Sequence, residues 1–230
     1  MKKILIAIFV LLGSISLANA EKFRVGVSVM GAGFEADGAE ERFTGNHSSN
    51  TSTTDRTIKS STEKENAEGA FALGSVFAEF QANDEISLGV SYVPHSSDSE
   101  ETENIQNREG NAFTAQATNR VKVSFEDLIT VYALANLNEN FFLKAGYMQV
   151  DLMTEENLGT GGAYGNDTLD GYTIGLGYNM DLADGMFVRA EAAYMEIDGT
   201  TLTNTNDSTK SVSADGITGY GAAVSVGKSF

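Results

Sequence analysis

The 230-residue chain contains no cysteine, no tryptophan and a single proline. Without cysteine, a disulfide scaffold, a cysteine-ligated zinc site, an iron–sulfur cluster and a thiol nucleophile are excluded. The chain has two histidines, His47 and His95, which leave almost nothing for a histidine-based metal site or a Ser-His-Asp triad. We therefore expect no metal and no other cofactor.

Positive charge is also scarce. The chain has 15 Lys and Arg against 32 Asp and Glu, a formal net charge of −17. Nucleic-acid binding requires clustered cations that neutralise phosphates. We therefore expect no nucleic-acid partner.

The amino terminus has the three-part order of a secretory signal peptide. Lys2 and Lys3 are followed by an apolar run over 4–12 and by the small-x-small pattern Ala18-Asn19-Ala20. The apolar run is too short for a transmembrane helix of about 20 residues. We predict a signal peptide over 1–20 and a mature domain over 21–230.

From residue 21 onward, apolar residues recur with the period of two that is typical of β-strands. Val25, Val27 and Val29 share one face of the first segment, and Leu88, Val90 and Tyr92 share one face of the third. The alternation predicts eight strands, at about 22–34, 70–81, 85–93, 119–136, 140–152, 171–180, 186–196 and 216–230. In the fourth strand Asp127 interrupts an apolar face of Val121, Val123, Phe125, Ile129 and Val131, which indicates either a bulge or a strand that rises above the membrane.

The connections between these strands alternate in length. Three are short and rich in Asn and Asp, at 81–84, 136–140 and 181–185, whereas four are long, acidic and rich in Ser, Thr and Asn, at about 35–69, 94–118, 153–170 and 197–215. Outer-membrane barrels have short periplasmic turns and long external loops. Backbone groups in lipid must all be paired, so strands can cross a bilayer only as a closed barrel. The sequence therefore predicts an all-β, eight-stranded antiparallel up-and-down transmembrane β-barrel.

The last strand carries further information, because alternating apolar residues lead to a terminal aromatic, Phe230. This ending resembles the terminal strand of bacterial outer-membrane proteins, which the barrel-assembly machinery reads as an assembly signal. The mature chain looks like the small eight-stranded barrels typified by the OmpA membrane domain, OmpX, the opacity adhesins and OmpW. Two local stretches are similar to the OmpA barrel: Arg189-Ala190-Glu191 on the seventh strand and the interior Glu79 on the second.

Alternation also predicts which charged residues face the lumen. If the outward faces are Val25/Val27, Leu143/Ala145 and Val188/Ala190, then Arg24, Lys144, Arg189 and Glu191 point inward. The resemblance adds Glu79. Since an isolated charge in a narrow lumen is costly, we predict that these five residues pair into a network that plugs the barrel.

Several functions remain open at this point. We predict a non-enzymatic, charge-plugged barrel that contributes to surface structure or contact through its acidic loops. The alternatives are a narrow pore or passive transporter of small, including hydrophobic, molecules, and an adhesin. An enzyme is disfavoured, because both histidines lie in low-complexity loops. The lipid A deacylase barrels carry a histidine and a serine near their last strands, whereas here no histidine follows His95. We expect an integral protein of the bacterial outer membrane, a monomer, whose partners are outer-membrane lipid and the barrel-assembly machinery.

Overall fold

The computed structural model describes residues 23–42, 61–99, 101–107, 116–158, 162–206, 208 and 210–230. These residues form strands and one short 3-10 turn at Ala183–Gly185. The strands are β1 (Phe23–Arg42), β2 (Ser61–Gln81), β3 (Ile86–Val93), β4 (Ser97–Asp98), β5 (Thr102–Asn107), β6 (Gln116–Asn136), β7 (Phe141–Leu158), β8 (Asp167–Asp181), β9 (Met186–Thr203) and β10 (Lys210–Ser229). Within the described residues, no helix has the length and apolarity to cross a membrane.

The strands close into one antiparallel barrel. The order is β3-β2-β1-β10-β9-β8-β7-β6, and pairing of β3 with β6 completes the circle. The short strands β4 and β5 follow β3 in the chain and also pair with β6, so they continue the same wall position. Eight positions therefore make the wall, and the predicted eight-stranded up-and-down barrel is confirmed.

The two ends of the barrel differ. One end, named here the turn side, holds Phe23, Phe230 and the three short connections. Two of these connections are closed in the same way: the Asn83 Oδ1 accepts hydrogen bonds from the backbone N–H of Glu85 and Ile86, and Asn138 does the same two and three residues ahead. Asparagine commonly folds back in this manner in tight turns. The opposite end is named the loop side.

The outward face carries an apolar band with a tyrosine girdle at its loop-side edge. Val27 and Val29 are 58% and 64% exposed, as expected of side chains that face lipid. The tyrosine girdle consists of Tyr92, Tyr147, Tyr172, Tyr194 and Tyr220, and the adjacent members from Tyr147 to Tyr220 are in register or in ring contact. Aromatic girdles of this kind mark the boundaries of the apolar band in outer-membrane barrels.

The inward face is filled by two kinds of side chain. The loop-side half holds an apolar cluster that includes Leu73, Val93, Met148, Ile197 and Ile217. The turn-side half holds charged and aromatic residues, which are described below. The interior of an eight-stranded barrel is just wide enough for side chains to fill it.

Several strands are longer than the alternation predicted. β1 continues to Arg42, β2 begins at Ser61 and β7 continues to Leu158, so parts of the predicted loops 35–69 and 153–170 are strand. Beyond the girdle the outward positions no longer face lipid. They need not be apolar there, so the period of two fades although the hydrogen-bonded ladder continues.

The bulge at Asp127 is present, and it changes the faces of β6. The register against β7 shifts between Glu126 and Ile129, and Asp127 has a φ of 52°. Phe125 packs in the apolar cluster inside the barrel, whereas Val131 is 48% exposed on the outside. The prediction that both lie on one apolar face was wrong, because the extra residue reverses the alternation.

The predicted signal peptide, residues 1–20, and His47 lie outside the described residues. Cleavage after Ala20 stays a prediction.

Candidate functional site

The barrel's alternation places all five predicted lumen residues on the inward face. Glu79, Arg189 and Glu191 are buried, with 0%, 3% and 7% of their surface exposed. Arg24 and Lys144 are half-buried. Burial of this degree requires partners, because an unpaired charge away from water is costly.

Glu79 and Arg189 form a bidentate ion pair across the lumen. The Arg189 Nη1 donates to Glu79 Oε1 at 2.6 Å, and Nη2 donates to Glu79 Oε2 at 2.9 Å. The two residues lie on β2 and β9, which are separated in the wall by β1 and β10. Parallel charge-assisted bonds of this kind fix orientation as well as providing energy.

Two neutral side chains complete the polar partners of this pair. The Arg189 Nε donates to Asn179 Oδ1 at 2.8 Å, and the Tyr132 hydroxyl donates to Glu79 Oε1 at 2.8 Å. Among the described residues, no buried side-chain nitrogen or oxygen lacks a hydrogen-bond partner. The pair is therefore fully satisfied in the structure.

Three aromatic rings enclose the guanidinium of Arg189. Its Cζ lies 4.9 Å from the ring centroid of Phe142, 5.4 Å from that of Phe77 and 5.5 Å from that of Phe187. Phe142 and Phe187 are 0% and 1% exposed. Cations are attracted to aromatic faces at these distances, most strongly where water is excluded. The rings also occupy the lumen around the ion pair.

Glycines on neighbouring strands make room for these rings. A Cβ at Gly227 would lie 2.4 Å from Phe187, and one at Gly177 would lie 2.1 Å from Phe142. Any larger residue would displace the rings. The inward glycines thus allow large side chains to lie flat across a narrow barrel.

A second ion pair lies beside the first. Lys144 Nζ donates to Glu191 Oε1 at 2.9 Å, and it lies 4.5 Å from the ring centroid of Tyr132. Tyr132 therefore contacts both pairs, through its hydroxyl and its ring. Arg24 is the register partner of Glu79, and its Cζ lies 5.5 Å from the ring centroid of Phe187.

We name the combined set the charge network. It consists of Arg24, Glu79, Tyr132, Lys144, Asn179, Arg189 and Glu191, with the rings Phe77, Phe142 and Phe187. Sequence reasoning missed Tyr132, Asn179 and the rings. A signal was present for Asn179, because it directly follows the outward Tyr178 and so must point inward.

The lumen on the loop side of the network contains a cavity of about 70 Å³ with a mixed polar and apolar lining, named here the mixed cavity. Its lining includes the hydroxyls of Ser28, Thr130 and Ser225, and Lys144 and Glu191 also border it. Room for water therefore exists directly above the charge network, in the middle of the barrel.

The remaining predicted residues lie elsewhere. Phe230 is at the turn-side rim, 51% exposed, and its backbone N–H donates to Phe23 O at 2.8 Å. His95 lies between β3 and β4, where its Nε2 accepts a hydrogen bond from the Gly74 backbone N–H. No group of three or more His, Asp or Glu within the described chain could hold a metal ion.

A closed antiparallel barrel with an apolar outer band, a tyrosine girdle and paired charges inside defines an integral β-barrel of the outer membrane. The comparison with protein families agrees: the model of the outer membrane protein beta-barrel domain matches residues 5–230. The chain belongs to this family. No curated protein matches the chain significantly.

The chain is also similar to solved barrel structures. It matches the outer membrane protease OmpT of Escherichia coli with 11% identity and a TM-score of 0.38, covering 94% of this chain and 99% of that one. It matches Ail of Yersinia pestis, in complex with the heparin analogue sucrose octasulfate, with 10% identity and a TM-score of 0.33, covering 86% and 98%. A Pseudomonas aeruginosa FadL homologue matches with 11% identity and a TM-score of 0.32, covering 91% of each chain. Proteolysis and binding of the heparin analogue belong to those proteins.

Proposed function

We propose that this protein is a non-enzymatic outer-membrane barrel with a plugged lumen, which contributes to surface structure or contact through its acidic loop side. The charge network carries this proposal. Its central pair joins β2 to β9 across the lumen, and three buried rings fill the space around it.

The network favours a plug over an open pore for an energetic reason. Each carboxylate in it contacts a base, and removal of one partner leaves the other charged and buried. A path for ions through this level would require the Glu79–Arg189 pair to separate. We therefore expect at most a narrow and intermittent water path.

We propose that the protein is not an enzyme, because both ring nitrogens of His95 are already in contact with backbone groups. Its Nε2, the nitrogen that would act as a base, already accepts the Gly74 N–H at 2.9 Å. Its Nδ1 lies 3.0 Å from the Ser96 carbonyl oxygen. Neither nitrogen is directed at a serine hydroxyl, as a nucleophile would require.

The loop-side surface supports a role in contact with the environment. Outward carboxylates, among them Asp170 and Glu196, lie beside the girdle and accept hydrogen bonds from its tyrosines. With the predicted orientation, the loop side faces outward from the cell and the turn side faces the periplasm. We propose a monomer in contact with outer-membrane lipid, assembled by the barrel-assembly machinery and exported by the signal peptide 1–20.

Conductance in a planar bilayer tests the plug. Wild-type protein is expected to stay near the baseline, with only brief openings. Arg189→Ala and Glu79→Ala are expected to raise the conductance, because each separates the central pair. Arg120→Ala serves as the control, since Arg120 pairs with Glu103 in an exposed position on the loop side.

A large and steady wild-type conductance, unchanged by Glu79→Ala and Arg189→Ala, would overturn the plug and favour the alternative of a narrow pore. Passage of small apolar molecules without ionic conductance would favour a passive transporter. Saturable binding of host cells that depends on the loop side would favour an adhesin.

A further inference from the structure

A small apolar chamber lies inside the loop-side half of the barrel, above the charge network and the mixed cavity that borders it. The chamber has a volume of about 60 Å³, and its lining is apolar except for His95 and Ser97. Phe34, Phe71, Phe125, Leu128, Ile197 and Ile217 form most of its wall. Apolar cavities in proteins stay dry and accept apolar ligands.

The barrel wall beside this chamber is not closed by strand pairing. β2 pairs with β1 along its length but pairs with β3 only from Val76 to Gln81. In the described part of the chain, no ladder continues on that side of β2 beyond Val76, because β4 and β5 pair with β6. We name this opening the seam. It lies between residues 71–75 of β2 and residues 93–97.

One imidazole closes the seam. The Gly74 N–H donates to His95 Nε2 at 2.9 Å, and the Nδ1–H then donates to the Ser96 carbonyl at 3.0 Å, a tautomer assigned from these two contacts. His95 is exposed on the outside of the barrel, yet it also lines the chamber. Among the described residues, the His95 imidazole therefore lies between the chamber and the exterior and bridges the seam by a hydrogen bond to β2.

The outer surface of the barrel beside the seam carries only small residues. The tyrosine girdle is interrupted there, between Tyr92 and Tyr220, by the outward residues Gly31, Ala72 and Gly74. A Cβ placed on Gly31 would meet no atom within 4 Å. The seam begins beside Val76 and Tyr92, at the loop-side edge of the apolar band, so acyl chains can reach its turn-side end.

We propose that the chamber binds the end of one hydrocarbon chain of a membrane lipid, which enters sideways through the seam past His95. The chamber holds about four to six water-sized spheres, which suits the last few carbons of a chain rather than a whole lipid. Apart from His95 and Ser97 at the seam, the lining provides no polar partner for a headgroup, so the headgroup stays outside. The chain goes no further than the charge network, whose Lys144 and Glu191 border the mixed cavity beneath the chamber. The site is one of binding, without passage, and it is independent of whether the lumen is plugged.

Methyl NMR in lipid nanodiscs tests this proposal. Deuterated protein with protonated Ile and Leu methyl groups is placed in phosphatidylcholine with ordinary acyl chains. We expect nuclear Overhauser cross-peaks from the methyls of Ile197 and Ile217 to the chain protons, although both residues are buried inside the barrel. Leu176, exposed on the outside, should show such peaks, whereas Leu134, buried near the charge network, should not. All peaks to lipid should vanish with chain-deuterated lipid.

Two kinds of variant separate the chamber from the seam. Ile217→Phe fills the chamber and should abolish the peak at Ile197 without changing that at Leu176. Leu128→Phe is the second filling variant, in case Ile217→Phe does not fold as judged by heat-modifiable mobility. His95→Ala removes the closing imidazole and should strengthen the peaks at Ile197 and Ile217.

Absence of lipid peaks at Ile197 and Ile217 in folded wild-type protein, with Leu176 positive, would overturn the proposal. Peaks that persist unchanged in both filling variants would also overturn it. If His95→Ala leaves the peaks unchanged, the entry route past His95 is wrong.

Discussion

Arg189 stands at the centre of the strongest prediction at the residue scale. Its guanidinium donates to Glu79 on one side and to Asn179 on another, and it stacks against three rings. Arg189→Ala should leave the Glu79 carboxylate buried without its cation. We expect the free energy of unfolding to fall by roughly 3–5 kcal/mol, measured by denaturant titration in detergent micelles.

The matched control is the double variant Glu79→Gln with Arg189→Ala, which removes the stranded charge. It should cost less than Arg189→Ala alone, because a neutral amide is cheaper to bury than a carboxylate. A loss of about 1 kcal/mol or less for Arg189→Ala, the range of an exposed pair, would contradict the buried ion pair.

A second residue-scale prediction concerns Asp98 and Lys122, which pair at 2.8 Å beyond the girdle. The hydrogen bond from Lys122 lowers the pKa of Asp98, and the same bond raises the pKa of Lys122. The pair therefore stabilises the contact of β4 with β6 above the ordinary pKa of Asp, about 3.9, and this contribution is lost as the pH falls through the lower folded value.

Carboxyl-carbon NMR across an acid titration measures this directly. The midpoint of Asp98 should lie below the ordinary value for Asp, and Lys122→Met should raise it. A midpoint that does not respond to Lys122→Met would show that the pair does not form in solution.

The direction of a side chain, into the lumen or out toward lipid, could be predicted from the sequence wherever the strand alternation was regular. The inward direction of Arg24, Lys144, Arg189 and Glu191 follows from alternation, since their neighbours are lipid-facing. Which base meets which acid could not be predicted, because it depends on register across several strands. Tyr132 illustrates this, as its hydroxyl reaches a residue 53 positions away in the chain.

At the scale of the element, β6 is the strand whose behaviour the sequence left open. Asp127 has a left-handed φ of 52°, and its carboxylate accepts a hydrogen bond from the Tyr92 hydroxyl at 2.5 Å. Asp and Asn tolerate this conformation, whereas β-branched residues do not. We expect Asp127→Asn to be nearly neutral and Asp127→Val to lower the free energy of unfolding by about 1–3 kcal/mol.

Deletion of Asp127 tests whether this residue is a bulge within a continuous strand or part of a loop. Deletion of Asp127 should force one half of β6 to turn its apolar cluster residues outward, or break the pairing with β7. Loss of heat-modifiable mobility on deletion, with Asp127→Asn behaving as wild type, would fit this account. A deletion variant that folds with unchanged stability would contradict it.

The strands themselves were predictable in the membrane-spanning part and not beyond it. There, lipid outside and a filled lumen inside impose opposite chemistry on alternate residues, as in Val25 to Val29. Above the girdle, outward residues such as Glu35 and Asp37 are exposed to water rather than to lipid, so they need not be apolar, although the hydrogen-bonded ladder continues β1. One wall position is divided into β3, β4 and β5, and this division creates the seam. The sequence alternation did not predict it.

At the scale of the whole molecule, the barrel is closed by pairing of its first strand with its last strand. β1 pairs with β10 from Arg24 opposite Ser229 to Arg42 opposite Lys210, and Phe230 adds one bond to Phe23 beyond the last ladder pair. Its side chain is 51% exposed at the turn-side rim, so it contributes little buried area to the folded barrel. Its role as an assembly signal, before the barrel closes, stays a prediction.

We therefore expect deletion of Phe230 to impair assembly in cells far more than refolding in detergent micelles. In micelles the barrel closes through the β1–β10 ladder, which the deletion leaves intact apart from its final bond. In cells the predicted reading of the last strand by the assembly machinery loses its terminal aromatic. The measurement is the ratio of heat-modifiable protein in isolated outer membranes to that in a refolding reaction, for wild type, the deletion and Phe230→Tyr. The tyrosine variant should keep the aromatic signal and the wild-type ratio, whereas normal outer-membrane yield of the deletion would show that Phe230 is not read.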